Sequence, residues 1–429
     1  MSAAHWNNER LRALAAESPC RPEDVARIAE ELEGRGTLTL RALRSGLFPA
    51  ALVDASAGSG YESVWVRDNV FVAYAHLVRG QPEVAVKVAR SLMTFFEKSR
   101  PRFEQIIAGE VDPEDVMRRP HVRFDGERLA EIAGERWAHA QNDALGYALW
   151  LCAKLAIAKT MPLDEQGART LGLFPRYFQA IHYWQDEDSG HWEEVRKREA
   201  SSIGTVVAGL QEMLALVTSE RRICRAAGLG ARFETTVATL VEEGIEALDA
   251  ILPSECVQAS PLQNRRYDAA LIFLIHPLGV LRGPMADLVL HDVDRFLTGP
   301  FGVRRYLGDS YFAPDYDRLP PGEGTRDWSD DIEARDALLE QVGQEAQWCL
   351  FDPMLCALYG ERHRRTGWAR DRERQVRHFQ RAIAQVTADW RCPELYYIKR
   401  GVYVPNPHTP LLWTQANLLV ALESMRAGA

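Results

Sequence analysis

Apolar positions recur with a helical period along most of the chain. The clearest case is 83–99, where Ala85, Val88, Ala89, Leu92 and Phe96 share one face behind a first-turn Pro82. The same spacing predicts helices at 69–79, 140–158, 163–184, 202–217, 229–251, 267–275, 284–297, 352–366, 369–389 and 411–427. A further helix opens at Arg21-Pro22-Glu23-Asp24, with proline in its first turn and acids at the positive dipole end, and closes at Gly34. This makes about twelve helices. Extended pieces are confined to 302–306 and 396–404. No stretch suggests βαβ alternation, which argues against a Rossmann or TIM architecture. Two long connections, 100–126 and 313–331, carry several prolines, and the second adds glycines and acids. Long loops of that kind usually serve a site.

Composition narrows the partners. The formal net charge is −9, and no basic block exceeds the short run Glu361-Arg362-His363-Arg364-Arg365. A nucleic-acid partner is therefore not expected. The longest apolar run, 269–275, is too short to span a bilayer, and Met1 to Arg12 holds no apolar signal region. Seven cysteines, odd in number and scattered without a C-x-x-C pair, argue against structural zinc or a disulfide framework. A reducing cytoplasm is the expected location. Oligomeric state is not legible.

Candidate chemistry falls repeatedly just before helices. Ser189-Gly190-His191-Trp192-Glu193-Glu194-Val195 sets two carboxylates beside an indole. A carboxyl partly dehydrated against an indole has a raised pKa, which suits a general acid. Alone, the segment reads first as a solvated acidic turn capping the helix that follows. Tyr61-Glu62-Ser63-Val64-Trp65-Val66-Arg67-Asp68 places an Arg–Asp pair behind two aromatics. Such a pair can hold sugar hydroxyls by charge-assisted hydrogen bonds, or simply cap a helix. Similar clusters are Trp137 to Asp143, Arg304 to Asp309, Glu345 to Trp348, and Glu394 to Trp413. If helices pair as successive hairpins around a ring, alternate loops share one face and can build one pocket.

Together these clusters resemble the glucoamylase-type glycoside hydrolases of family 15 and the related regulatory α/β subunits of phosphorylase kinase. The Y-x-x-x-W-x-R-D segment at Tyr61–Asp68 is similar to that family's glucose-holding motif. Trp137-Ala-His-Ala-Gln-Asn-Asp143 is similar to its second signature loop. Trp192-Glu193-Glu194 matches its general-acid loop, and Cys392-Pro393-Glu394-Leu395-Tyr396-Tyr397 its base loop. The P-E-L-Y-Y wording, and Asn406-Pro407-His408 before Trp413, look closer to the phosphorylase kinase branch. The resemblance spans about 58–425, in family order. It departs at Lys197-Arg198-Glu199, more charged than the family pattern, and at 313–331, which has no counterpart.

The resemblance implies an all-α fold, an (α/α)6 barrel over residues 58–429, with 1–57 a helical segment packed onto it. It implies Glu193 as general acid and Glu394 as general base of an inverting, exo-acting α-glucoside hydrolase. Substrate contacts would come from Tyr61, Trp65, Arg67, Asp68, Trp137, Gln141, Asp143, Trp192, Glu194, Arg305 and Trp348. No cofactor or metal is required, and the partner is an α-glucan or gluco-oligosaccharide. Two other readings stay open. One is a carbohydrate-sensing regulatory toroid without turnover. The other is an unrelated helical toroid such as a sugar epimerase, for which His139 and His408 are the candidate bases.

Overall fold

The computed structural model describes residues 3–16, 20–51, 60–137, 139–260, 263–319, 328, 331–339 and 343–427. Its framework is a double ring of helices. In chain order these are α1 (Pro22–Gly34), α2 (Val66–Val78), α3 (Pro82–Lys98), α4 (Asn142–Ile157), α5 (Glu165–Leu171), α6 (Leu173–Ala180) and α7 (Ala200–Ser219). They continue with α8 (Ala231–Ile251), α9 (Leu271–Ile275), α10 (Gly283–Asp292), α11 (Phe351–Thr366), α12 (Ala369–Ala384) and α13 (Leu412–Ala427).

Sequence decides which helices line the inside. A helix apolar all round must be buried, whereas a one-faced helix belongs outside. In α4 every residue from Asn142 to Ala153 is buried, and in α7 every residue from Ala200 to Leu210. By contrast, α12 carries arginines on one side and buries Gln375, His378, Phe379, Ala382 and Ile383 on the other. Among the described residues, α2, α4, α7, α9, α11 and α13 form the inner ring. Each packs against an outer partner: α3, the α5–α6 pair, α8, α10, α12 and α1 in turn. The architecture is the six-hairpin (α/α)6 toroid. Gly146 of α4 shows how tightly the inner ring closes, since a Cβ there would lie 2.8 Å from the backbone of Thr205 in α7. By length and composition α7 could cross a bilayer, but it is an inner helix walled by its neighbours.

The N-terminal segment is tied to the last hairpin. Helix α1 packs along α13, Thr37 Oγ1 donates to Trp390 O at 2.8 Å, and Gln415 Nε2 donates to Thr37 O at 2.7 Å.

The extended pieces are short and sit at one end of the ring. Strand β1 (Val64–Trp65) pairs antiparallel with β2 (Arg123–Phe124). Strands β3 (Gln347–Trp348), β4 (Leu395–Lys399) and β5 (Val402–Pro405) form an antiparallel sheet in that order. Both lie in loops leading into inner helices, so they fix the entry path of α2, α11 and α13.

Three expectations need adjustment. The helix expected at 163–184 is two helices meeting at Gly172, and it ends at Ala180. The connection expected over 100–126 begins with a helix, Arg100–Ile107, because Pro101 occupies its first turn rather than breaking it. Of the 313–331 connection, residues 320–327 and 329–330 lie outside the described residues.

Candidate active site

The inner helices all begin at the same end of the toroid, where the loops preceding them enclose a cavity of about 420 Å³. Its walls include Tyr61, Trp65, Arg67, Asp68, Trp137, Trp192, Glu193, Glu194, Arg305, Trp348 and Glu394. Behind Trp413 and Trp192 stands a packed aromatic floor. Phe273 lies 5.4 Å from Trp413, 5.5 Å from Phe71 and 5.9 Å from Phe351 between ring centroids.

Glu193 sits on a loop that starts and ends as a ladder between Asp188 and Lys197. The loop docks on the start of α4: Ser189 N donates to Ala140 O at 2.7 Å, and Asn142 N to Asp188 Oδ2 at 2.7 Å. Two left-handed residues turn it, Gly190 at φ 54° and Glu193 itself at φ 61°. A non-glycine residue in that region costs about 1 kcal/mol or more and persists only where its surroundings hold it. What holds Glu193 is its carboxyl: Trp65 Nε1 donates to Oε1 at 3.0 Å, and Arg67 Nη1 lies 3.6 Å from the same oxygen. Burial pushes the Glu193 carboxyl up, against the opposing pull of Arg67. It is a carboxyl that holds its proton better than an ordinary glutamate, facing a cavity.

Gly190 is required for this arrangement. A Cβ there would collide with the Glu199 carboxylate, in a backbone conformation that already disfavours side chains. Gly190→Ala is expected to lower stability by about 1–3 kcal/mol and to reduce activity further by displacing Glu193. A thermal melt combined with a kcat measurement checks both.

Glu194 points the other way and is spoken for. Tyr306 OH donates to Oε1 at 2.7 Å, Arg305 Nη2 to Oε1 at 3.0 Å, and Arg265 Nη2 to Oε2 at 2.7 Å. Burial alone would raise its pKa, but the two guanidiniums and the tyrosine outweigh that and leave it lowered. Two neighbouring glutamates therefore have opposite proton affinities, and only Glu193 is suited to give up a proton.

Glu394 enters from the turn before β4. Its backbone is pinned where Cys349 N donates to Glu394 O at 2.9 Å. Tyr61 OH donates to Oε1 at 3.0 Å, and Asn406 Nδ2 donates to Oε2. Burial raises the carboxyl to about 7, despite those donors. Tyr61 in turn stacks on His408, 3.8 Å and 3° apart.

Another side of the cavity is formed by Arg67, Asp68 and Arg305. Asp309 grips Arg305 in a bidentate pair, at 2.7 and 2.6 Å. The aromatic walls are braced as well. The Arg123 guanidinium lies 4.8 Å from both the Trp65 and Trp137 rings, held between two indoles. Trp192 Nε1 donates to Asp268 Oδ1 at 3.0 Å, and its ring is 5.7 Å from Trp348.

Gln141 and Asp143 need correction. They do not line the cavity. Both are buried behind Arg67, whose Nε donates to Asp143 Oδ2 at 2.7 Å and whose Nη2 donates to Gln141 Oε1 at 3.0 Å. They sit one layer back because α4 starts at Asn142, and its first turn faces the barrel interior rather than the mouth. The unexpected charge at Lys197-Arg198-Glu199 is internal too: Lys197 and Glu199 are buried, and Glu199 lies 3.8 Å from Arg265.

Several lining residues were missed: Ser310, Tyr311, Tyr316, Trp328 and Leu411. Arg265, which fixes Glu194, was missed as well. It lies six residues before α9, so the rule of aromatic and charged clusters before inner helices would have found Arg265-Arg266-Tyr267-Asp268. The histidine expectations do not converge on one role. His139 does not line the cavity; it stacks on His121 at 3.6 Å, and burial lowers it to about 2. His408 lines the cavity, and burial lowers it to about 4.

The cavity at the mouth of this toroid joins two proton-retaining carboxyls to a bed of indoles and arginines. The model for glycosyl hydrolases family 15 matches residues 36–242. The fold is similar to that of a wild-type glycosidase, with a TM-score of 0.68 and 19% identity over 94% of this chain and 98% of the other. A bacterial glucoamylase complexed with acarbose gives a TM-score of 0.60 and 15% identity, over 90% of this chain and 53% of the other. The glucoamylase of Saccharomycopsis fibuligera gives 0.58 and 12%, over 92% and 95%. No curated relative matches. The chain is thus similar to the glycosyl hydrolases of family 15 over residues 36–242, and its fold is that of these glycosidases and glucoamylases.

Proposed function

We propose that the protein is an inverting, exo-acting hydrolase that releases glucose from the non-reducing end of α-glucans or α-gluco-oligosaccharides. One observation carries the reading: Glu193 and Glu394, 201 residues apart in sequence, line a single cavity. Glu193 protonates the glycosidic oxygen. Glu394, once ionised, takes a proton from a water that attacks the anomeric carbon from the other face. Arg67, Asp68 and Arg305 hold the hydroxyls of the terminal glucose, and the indoles cover its C–H faces.

The two carboxyls are held by different donors, Trp65 for Glu193 and Tyr61 for Glu394, whose rings are 5.7 Å apart. Inversion needs room for a water between sugar and base. An inverting pair stands about 6.5–9.5 Å apart and a retaining pair about 5–5.5 Å. A pocket that ends on packed aromatic side chains rather than opening through the ring supports exo action. All seven cysteines are free and buried, which suits the expected reducing cytoplasm.

The test is incubation with maltose, isomaltose and malto-oligosaccharides, with proton NMR of the first-formed anomer. Release of β-glucose supports the proposal. Release of α-glucose would replace inversion by retention. Sugar binding in calorimetry without any glucose release would leave a sensor instead of an enzyme.

A further inference from the structure

We infer that Asp143 is a positioning residue that sets the proton affinity of the acid Glu193 by occupying Arg67. This rests on the functional reading above and adds the group that tunes its acid. Arg67 is 3% exposed and has three directions in which to spend its guanidinium. Nε goes to Asp143 at 2.7 Å, and Nη2 goes to Gln141 at 3.0 Å and Gly190 O at 3.3 Å. Only Nη1 faces Glu193, at 3.6 Å, a looser approach than its contact with Asp143. The closer carboxylate holds the guanidinium away from the acid. Asp143 is fully buried, so this competition takes place where charge interactions are poorly screened.

The charged surroundings on each side are few. Facing Glu193 are Arg67, Arg123 and Asp68, with the Tyr61 hydroxyl. Facing Asp143 are Arg67, the His191 imidazole 3.7 Å away, Tyr147 and Asp188. His191 is held neutral, lowered to about 3 by burial, so it does not substitute for Arg67 as the counter-charge of Asp143. Removing the Asp143 charge therefore acts twice on Glu193, and both effects have one sign. A nearby negative charge that favoured the protonated acid is lost, and Arg67 is released to pair with the carboxylate. Either change makes Glu193 give up its proton at lower pH.

The experiment uses the full chain with Glu carboxyl carbons labelled with ¹³C, and Glu193→Gln assigns the Glu193 resonance. Asp143→Asn should move the Glu193 titration to lower pH. Gln141→Glu, which gives Arg67 a second carboxylate, should move it upward. In kinetics, the optimum of the kcat/KM bell is the mean of its two limbs. It should therefore fall by about half a pH unit for each tenfold loss in Glu193 proton affinity. Asp143→Glu should restore most of the wild-type value. A Glu193 titration unchanged in both Asp143→Asn and Gln141→Glu overturns the inference. If Asp143→Asn fails to fold, the upward shift in Gln141→Glu decides. A wild type that hydrolyses no α-glucoside sinks the functional reading, while the NMR titration still tests the coupling of these groups.

Discussion

Glu193→Gln is expected to lower kcat on maltose by roughly 10²–10⁴-fold while changing KM only a few-fold. The amide keeps the size of the side chain and can still meet Trp65 and Arg67, so the pocket that holds glucose survives. What it lacks is a proton to give. The loss should depend on the leaving group. Maltose expels a sugar alkoxide, which needs protonation as the bond breaks. An aryl α-glucoside with an acidic phenol does not, so the same variant should lose far less on that substrate. Steady-state kinetics on the two substrates check this. Equal losses on both would remove Glu193 from the acid role.

Glu394→Gln is expected to show the complementary pattern: a loss of roughly 10²–10⁴-fold on both substrates, because water activation is required whatever the leaving group. The pH profile supplies a second signature. As the proposed base, Glu394 would work only when ionised, and its pKa is pushed up to about 7 by burial. Wild-type kcat/KM should therefore fall as pH drops through about 7, and the residual activity of the variant should lack that limb. Stability should change in the opposite sense. The folded protein holds the Glu394 proton more tightly than the unfolded chain, whose ordinary value is 4.5. Its contribution is most favourable below that value and is lost as pH rises to about 7. Above pH 7 the buried carboxylate costs roughly a few kcal/mol, and a neutral glutamine does not. Glu394→Gln should melt higher than wild type at pH 8, with the difference vanishing near pH 4. Scanning calorimetry at the two pH values checks it. A lower melting temperature at pH 8 would show that its hydrogen bonds to Tyr61 and Asn406 outweigh the cost of burying the charge.

The helices and the clusters at their ends were legible for a simple reason, while the toroid and the roles of its residues came with the family resemblance. An inner helix is apolar throughout, so polar or charged residues near it collect at its ends, and the end facing the mouth is where the chemistry must be. That is why Trp65-Val66-Arg67-Asp68 stands out at the start of α2, and Trp192-Glu193-Glu194 and Glu394 before α7 and α13. Depth was not legible. Gln141 and Asp143 have the same composition as the residues that touch the cavity, yet one turn of α4 separates facing the mouth from supporting it. Pairing was not legible either. Nothing in Trp192-Glu193-Glu194 says that one glutamate meets an indole while the next meets two arginines, because those partners come from 65, 265 and 305. The aromatic wall from Tyr311 and Tyr316 was missed because it lies in a connection without periodicity.

Among the described residues, the stack of Phe71, Phe273, Phe351 and Trp413 closes the inner end of the pocket. Under the proposed exo action, a glucose cut from a chain would not leave ahead of the remainder; the shortened chain would back out first, and the monosaccharide would follow. Successive cuts on one polymer would then require separate visits, with intermediate lengths accumulating in solution. Glucose itself would compete for the emptied seat, slowing each round as it builds up.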